Sequence, residues 1–217
     1  MKVEGFFFIK FNFFKLNISF NFDGLKILAI IGESGSGKTT FLKCLSGLLK
    51  PTYGFLKIGK SIFQDSTINK FLHPNCRNIG HVLQQNVLFD NLSPLNNITL
   101  GFNDSNINYI SLKTVINTLN ISKLMKRSIK NLSSGEKQRL SIAQILLTQP
   151  KIILLDESFS FQDVKSKLFL INFFKKINCY YNIPIIYVCH NMDDIENFAT
   201  HIFYMKNGKL IINNTNI

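Results

Sequence analysis

The stretch "GESGSGKTT" (residues 32–40), with the apolar run "LKILAII" (25–31) before it, decides how the chain is read. Such a run followed at once by glycines and hydroxyls predicts a buried strand ending in a tight turn. Gly32, four residues, then Gly37-Lys38-Thr39 is the spacing of a phosphate-binding loop. Glycine lets the turn approach closely enough for successive backbone N–H groups to face a polyphosphate. The helix starting near Gly37 aims its dipole and unpaired donors at the same point. The candidate contacts are Gly32, Glu33, Ser34, Gly35, Ser36, Gly37, Lys38, Thr39 and Thr40. Lys38 would neutralise β- and γ-phosphates, and the Thr39 hydroxyl would ligate Mg²⁺. A plain Gly/Ser connection would need neither the lysine nor the threonine.

A phosphate loop of this kind needs a second, acidic strand. "KIILLDES" (151–158) supplies four apolar residues and then Asp156-Glu157, the pattern of a strand buried on both faces. Asp156 would hold Mg²⁺ through a water or through Thr39, while Glu157, pointing differently, would polarise an attacking water. In "LSSGEKQRLSIAQILL" (132–147), Ser133 and Glu136 have capping-box spacing, and Leu140, Ala143, Leu146 and Leu147 recur at helical intervals. The plainer reading is a capped core helix. Ser133, Ser134 and Gly135 also make a second anion-ready helix N-terminus, which suggests a second nucleotide carried by another subunit.

The 217 residues, 46% hydrophobic, suffice for a sizeable core, and no 20–50-residue period repeats. The net charge of +12 favours polyanions, but the basic residues are dispersed. Only "KLMKRSIK" (123–130) resembles a cluster, without an aromatic-basic signature, so no nucleic-acid partner is expected. Four separated cysteines with no CxxC pair read as reduced thiols. The N-terminal "MKVEGFFFIKFNFFKLNISF" lacks a cleavage site, and alternation from Phe11 to Phe22 predicts strands. No apolar run approaches the roughly 18 residues of a bilayer span, so the chain is expected to be soluble by itself.

"GESGSGKTT", "LSSGEKQR", "IILLDES" and "YVCH" occur in that order and resemble the ATP-binding subunits of ABC transporters over about residues 15–212. Within that superfamily, "RNIGHVLQQNVLFDNLSPLNNITLGF" (77–102) and "NIPIIYVCHNMDDIENFATHIFYMKNGKL" (182–210) look most like the ATPases of molybdate importers. The resemblance implies an α/β P-loop NTPase of the ABC ATPase type: one domain over 1–217, an N-terminal antiparallel β region and a helical subdomain inserted at about 86–135. It implies ATP and Mg²⁺ as ligands, and catalytic roles for Glu157, for His190 as the switch histidine and for Gln84. Gln84 would join Thr39 and Asp156 at the metal, unless it is a strand-end amide bonded to backbone. Ser133, Ser134, Gly135 and Glu136 would serve the nucleotide of a second copy, and Asp163 of "SFQD" (160–163) would cross that interface. Phe11, Phe13 and Phe14 are the candidates for stacking on adenine, with a core role equally open to each.

The implied partners are a second copy in head-to-tail pairing, a transmembrane permease and, indirectly, an external solute-binding protein. The implied place is the cytoplasmic face of a bacterial inner membrane. The chain departs from the family pattern at Ser134, Gln144, Ser158, Phe161, Gln162 and Asn191. Those departures lead to an expectation of slower turnover, not lost turnover. With little sequence after "NGKLIINN", the C-terminal regulatory domain of related importers is expected to be absent. Three functions remain open: an importer motor for molybdate or another solute, a non-transport ABC ATPase, and a regulatory nucleotide-binding subunit with weak turnover.

Overall fold

The computed structural model describes residues 1–24, 26–83, 87–102, 110–157, 163–190, 195 and 198–211. β1 (Val3–Lys10) and β2 (Lys15–Phe22) form an antiparallel pair in which Leu16, Ile18, Phe20 and Phe22 alternate inward. The strand predicted from Phe11 starts later, because the Phe11 N–H closes on the Phe14 carbonyl at 2.7 Å and makes 11–14 a turn. β3 (Ile27–Ile31) enters the glycine loop, and α1 (Lys38–Ser46) leaves it. β4 (Tyr53–Ile58) returns to β1, and β5 (Ser61–Asp65) and β6 (Lys70–Phe71) extend that sheet to the order β2-β1-β4-β5-β6. These last two are short, five and two residues. A short helix α2 (Pro74–Arg77) leads to β7 (Ile79–Val82).

The next described helices are α3 (Pro94–Ile98) and α4 (Leu112–Thr118), followed by short 3-10 turns at 122–126 and 129–131. Both helices pack on α5 (Ser134–Leu147), which also touches β7. β8 (Ile152–Asp156), α6 (Val164–Tyr181), β9 (Ile185–Cys189), β10 (His201–Lys206) and β11 (Lys209–Ile211) complete the described elements. The second sheet runs β11-β10-β3-β9-β8-β7, parallel except for β11 at its edge.

Every residue of β3, β8 and β9 is buried because the parallel sheet walls two cores. Leu28, Ile30, Ile152, Leu154, Ile186 and Val188 face the first, with α1 and the inner face of the antiparallel sheet. Their neighbours Ala29, Ile31, Ile153, Leu155, Ile185 and Tyr187 face the second, with α5 and α6. The period-2 alternation of a strand sends successive side chains to opposite cores.

Arg77 ties these layers together. It is 1% exposed; its Nε donates to the Leu72 carbonyl at 2.8 Å, and its Nη1 to the Cys44 and Leu45 carbonyls at 2.9 and 2.8 Å. Those two carbonyls end α1, where the helix dipole is negative, so a cation there is stabilising. Gly47, at φ 81, caps α1, and any Cβ on it would strike the Arg77 guanidinium. Among the described residues no carboxylate contributes to this pairing.

Candidate nucleotide site

At the C-terminal ends of β3, β8 and β9 the strands deliver three pieces of chain to one place, which is where parallel α/β sheets bind ligands. The loop after β3 is shaped by Gly37, whose φ of 107 is closed to other residues, and by Gly32, where a Cβ would strike the Met205 carbonyl. Phe14 leans on this loop: a Cβ at Gly37 would lie 2.7 Å from its ring.

Lys38 is only 4% exposed. Its Nζ donates to the Gly32 and Glu33 carbonyls at 2.7 and 3.0 Å and lies 3.6 Å from Glu157 Oε1. Two of the three ammonium protons thus hold the lysine across the turn, and the third is directed to negative charge. Thr39 Oγ1 donates to Asp156 Oδ1 at 3.0 Å. The alternation along β8 explains that contact, since Asp156 follows Ile152 and Leu154 on the α1 side. Burial pushes the Asp156 carboxyl above the usual carboxylate range; the Glu157 charge adds to this and the Thr39 hydrogen bond opposes it.

Glu157 breaks the alternation. Its backbone is left-handed, φ 46, a conformation that costs a non-glycine residue about 1–2 kcal/mol. Its N–H donates to the Val188 carbonyl at 3.1 Å, which anchors it against β9. The turn brings its carboxylate to Lys38 and within 4.0 Å of His190 Nδ1. Strained backbone of this kind concentrates at functional sites.

Two features show that a phosphate group fits. Ser36 Oγ, in the loop itself, is buried without a hydrogen-bond partner, and at Gly35 a Cβ would meet nothing within 4 Å, so open space adjoins the loop. Thr39 and Asp156 together offer the hydroxyl and carboxylate oxygens that Mg²⁺ prefers. Beside the loop lies a cleft of about 510 Å³, bounded also by His190, Tyr204, Lys206 and Asn207. Those last three were not legible in the sequence; the signal was that β10 pairs in parallel with β3, Tyr204 opposite Ile31.

The other expected residues stand apart from this cluster. Ser133 caps α5: its Oγ accepts from the Glu136 N–H at 3.3 Å, while Glu136 Oε2 accepts from the Ser133 N–H at 2.8 Å. That is the expected capping box, and Arg127 lies 3.3 Å from Glu136 as well. Ser134 is exposed, and beside Gly135 there is open space. Asp163 caps α6, with Oδ1 accepting from the Ser166 N–H at 3.0 Å and Oδ2 from the Ser166 hydroxyl at 2.6 Å. Of the adenine-stacking candidates, Phe14 packs on the loop, Phe11 stacks on Phe14 at 6.2 Å, and Phe13 is fully exposed. Gln84, Ser158, Phe161, Gln162 and Asn191 lie outside the described residues.

A phosphate loop and an acidic strand end set between an antiparallel sheet and a parallel one define an ATP-binding cassette. The chain belongs to the ABC transporter family, which it matches over residues 16–160. It is 37% identical over 190 residues to the molybdenum import ATP-binding protein ModC of Pseudomonas syringae pv. tomato, covering 87% of this chain and 52% of that one. With the ModC of Rhodopseudomonas palustris it shares 35% over 202 residues, covering 91% and 54%. The chain thus spans about half the length of these curated relatives. Among solved structures, it resembles the dimeric post-hydrolysis state of the ATP-binding cassette MJ0796 bound to ADP and Pi. That likeness has a TM-score of 0.78 and 25% identity, covering 97% of this chain and 96% of the other.

Proposed function

We propose that the chain is the ATP-hydrolysing subunit of an ABC importer, with molybdate or a similar oxyanion as the transported solute. The observation that carries this reading is the convergence of Lys38, Glu157, Thr39 and Asp156 at one end of the parallel sheet. The solute rests on the similarity to ModC proteins, which are molybdenum import ATP-binding proteins.

ATP would lie with its phosphates on the N–H groups of Gly32 to Thr40, its β- and γ-phosphates beside Lys38 and Ser36 Oγ. Phe13, more exposed than Phe11 in the 11–14 turn, would stack on adenine. Thr39 and Asp156, with Gln84, would hold Mg²⁺, which supplies charge neutralisation at the phosphates. Glu157 takes the proton of the attacking water, and His190 donates a hydrogen bond to the γ-phosphate. The left-handed backbone at Glu157, with its carboxylate 4.0 Å from His190 Nδ1, supports these two roles.

Two copies would pair head to tail about a two-fold axis, so that each contact between them is made twice. Ser133, Ser134, Gly135 and Glu136 of one copy would then face the loop of the other. Because the Ser133 and Glu136 side chains cap each other, the Ser134 and Gly135 N–H groups and the α5 dipole are what meets the γ-phosphate. Asp163, its oxygens engaged by Ser166, would sit at the end of a segment facing the same interface. A γ-phosphate bound from both sides favours the closed pair, and its release lets the pair reopen.

A permease would dock over residues 88–97, part of the helical insertion at about 86–135. Phe89 and Leu95 are exposed there, while the buried Asn97 amide holds the segment in shape through the Phe89, Leu92 and Ser93 carbonyls. Among the described residues no helix is long and apolar enough to cross a membrane. The permease would hold the pair at the cytoplasmic face of a bacterial inner membrane, with an external binding protein supplying solute.

The test is Glu157→Gln. In saturating MgATP it should form a dimer by light scattering and hydrolyse at least about 10²-fold more slowly, the usual loss for a general base. A variant that stays monomeric with its permease present, or that turns over like the wild type, overturns the reading.

A further inference from the structure

A second cavity, lined in part by basic side chains, lies at the opposite end of the parallel sheet. A cavity of about 220 Å³ opens between the β4–β5 hairpin and the first residues of β7 and β8, lined by Lys60, Ser61, Arg77, Ile79 and Lys151 among others. β8 separates it from the nucleotide cluster: Lys151 precedes the strand and Asp156 ends it, roughly 16 Å away at the rise of a strand.

Lys60, Lys151 and Arg77 line it, and among the described residues no carboxylate does. Lys60 and Lys151 are exposed, but Arg77 is 1% exposed. Its Nε and Nη1 are taken up by backbone carbonyls, the Phe71 ring lies 4.8 Å from its Cζ, and its Nη2 is buried without a hydrogen-bond partner. A buried, unpaired donor on a charged group is costly unless something accepts from it. The charged side chains that share the lining with it, Lys60 and Lys151, are of the same sign.

We propose that this cavity binds a small tetrahedral oxyanion of the phosphate, sulfate or molybdate class. Such an ion offers oxygens on several sides at once: one for Arg77 Nη2, one for the Ser61 hydroxyl, and negative charge for both lysines. The volume admits one such ion with water. Because the site pins the hairpin tip to the start of the parallel strands, the ion braces the junction of the two sheets.

The experiment uses the whole chain saturated with MgADP, so that the phosphate loop is already filled. Sodium phosphate, sulfate or molybdate is titrated against chloride at equal ionic strength while the thermal unfolding midpoint is read. The expected result is a saturable rise with at least one of the three, about 3–5 °C at ten times its dissociation constant. Lys60→Ala/Lys151→Ala, a surface change outside the nucleotide site, should weaken that response at least tenfold and leave ADP affinity unchanged. Arg77→Lys, which keeps the charge but loses the planar fork, should weaken it as well. No response beyond chloride overturns the proposal. So does a response equal in wild type and the double-lysine variant, or one that ADP abolishes, which would place the ion in the phosphate loop.

Discussion

His81 should make the protein acid-labile well above the range where carboxylates titrate. It lies on β7 with Nδ1 3.2 Å from Ser46 Oγ and its buried Nε2 without a partner. Burial, with Lys43 nearby, lowers its pKa from the ordinary 6.5 to about 4. A depressed histidine favours the fold as the neutral imidazole, so its contribution is complete above pH 6.5 and is lost as pH falls toward 4. At 1.36 kcal/mol per pH unit the full loss is about 3 kcal/mol, and about 2 kcal/mol is gone by pH 5. Urea unfolding at pH 8 and pH 5 measures it, with His81→Met as the reference. The fall in stability between those pH values should be about 2 kcal/mol larger in the wild type than in the variant. The subtraction also removes Asp156, whose raised pKa works in the opposite direction. Equal falls in the two proteins would refute the reasoning.

Asp156→Asn should raise the unfolding midpoint, because it removes a buried charge, while abolishing Mg²⁺-dependent ATP hydrolysis in a phosphate-release assay. Gly47→Ala should cost about 2–4 kcal/mol in urea unfolding, since it combines a left-handed backbone with a collision against a buried guanidinium that cannot step aside. Gly32→Ala should weaken ATP binding in calorimetry at least tenfold, because its Cβ displaces either the loop or the Met205 carbonyl.

What the sequence displayed plainly was whatever depends on local pattern. "GESGSGKTT" and "IILLDE" could be read because glycine spacing and unbroken apolar runs are local, and the structure joins them through Thr39 and Asp156. The Ser133–Glu136 cap was legible for the same reason. Arg77 was not, because its partners at residues 44 and 45 lie more than thirty positions away and no spacing rule links a basic residue to a distant helix end. The Asp163 cap was passed over for its likeness to an interface residue, although Ser166 three positions later is an ordinary capping signal. Phe11 to Phe14 looked like alternating strand residues, and only the closure of Phe11 on Phe14 makes them a turn.

The three strands whose side chains alternate between α1 and the α5–α6 side make cooperativity unavoidable. Neither hydrophobic compartment can loosen without stripping a partition from the other, so the amides of β3, β8 and β9 should be the slowest to exchange with deuterium. The Asp156 and Glu157 carboxylates thus hang from the last part of the molecule to open, and thermal fluctuation elsewhere leaves their spacing intact.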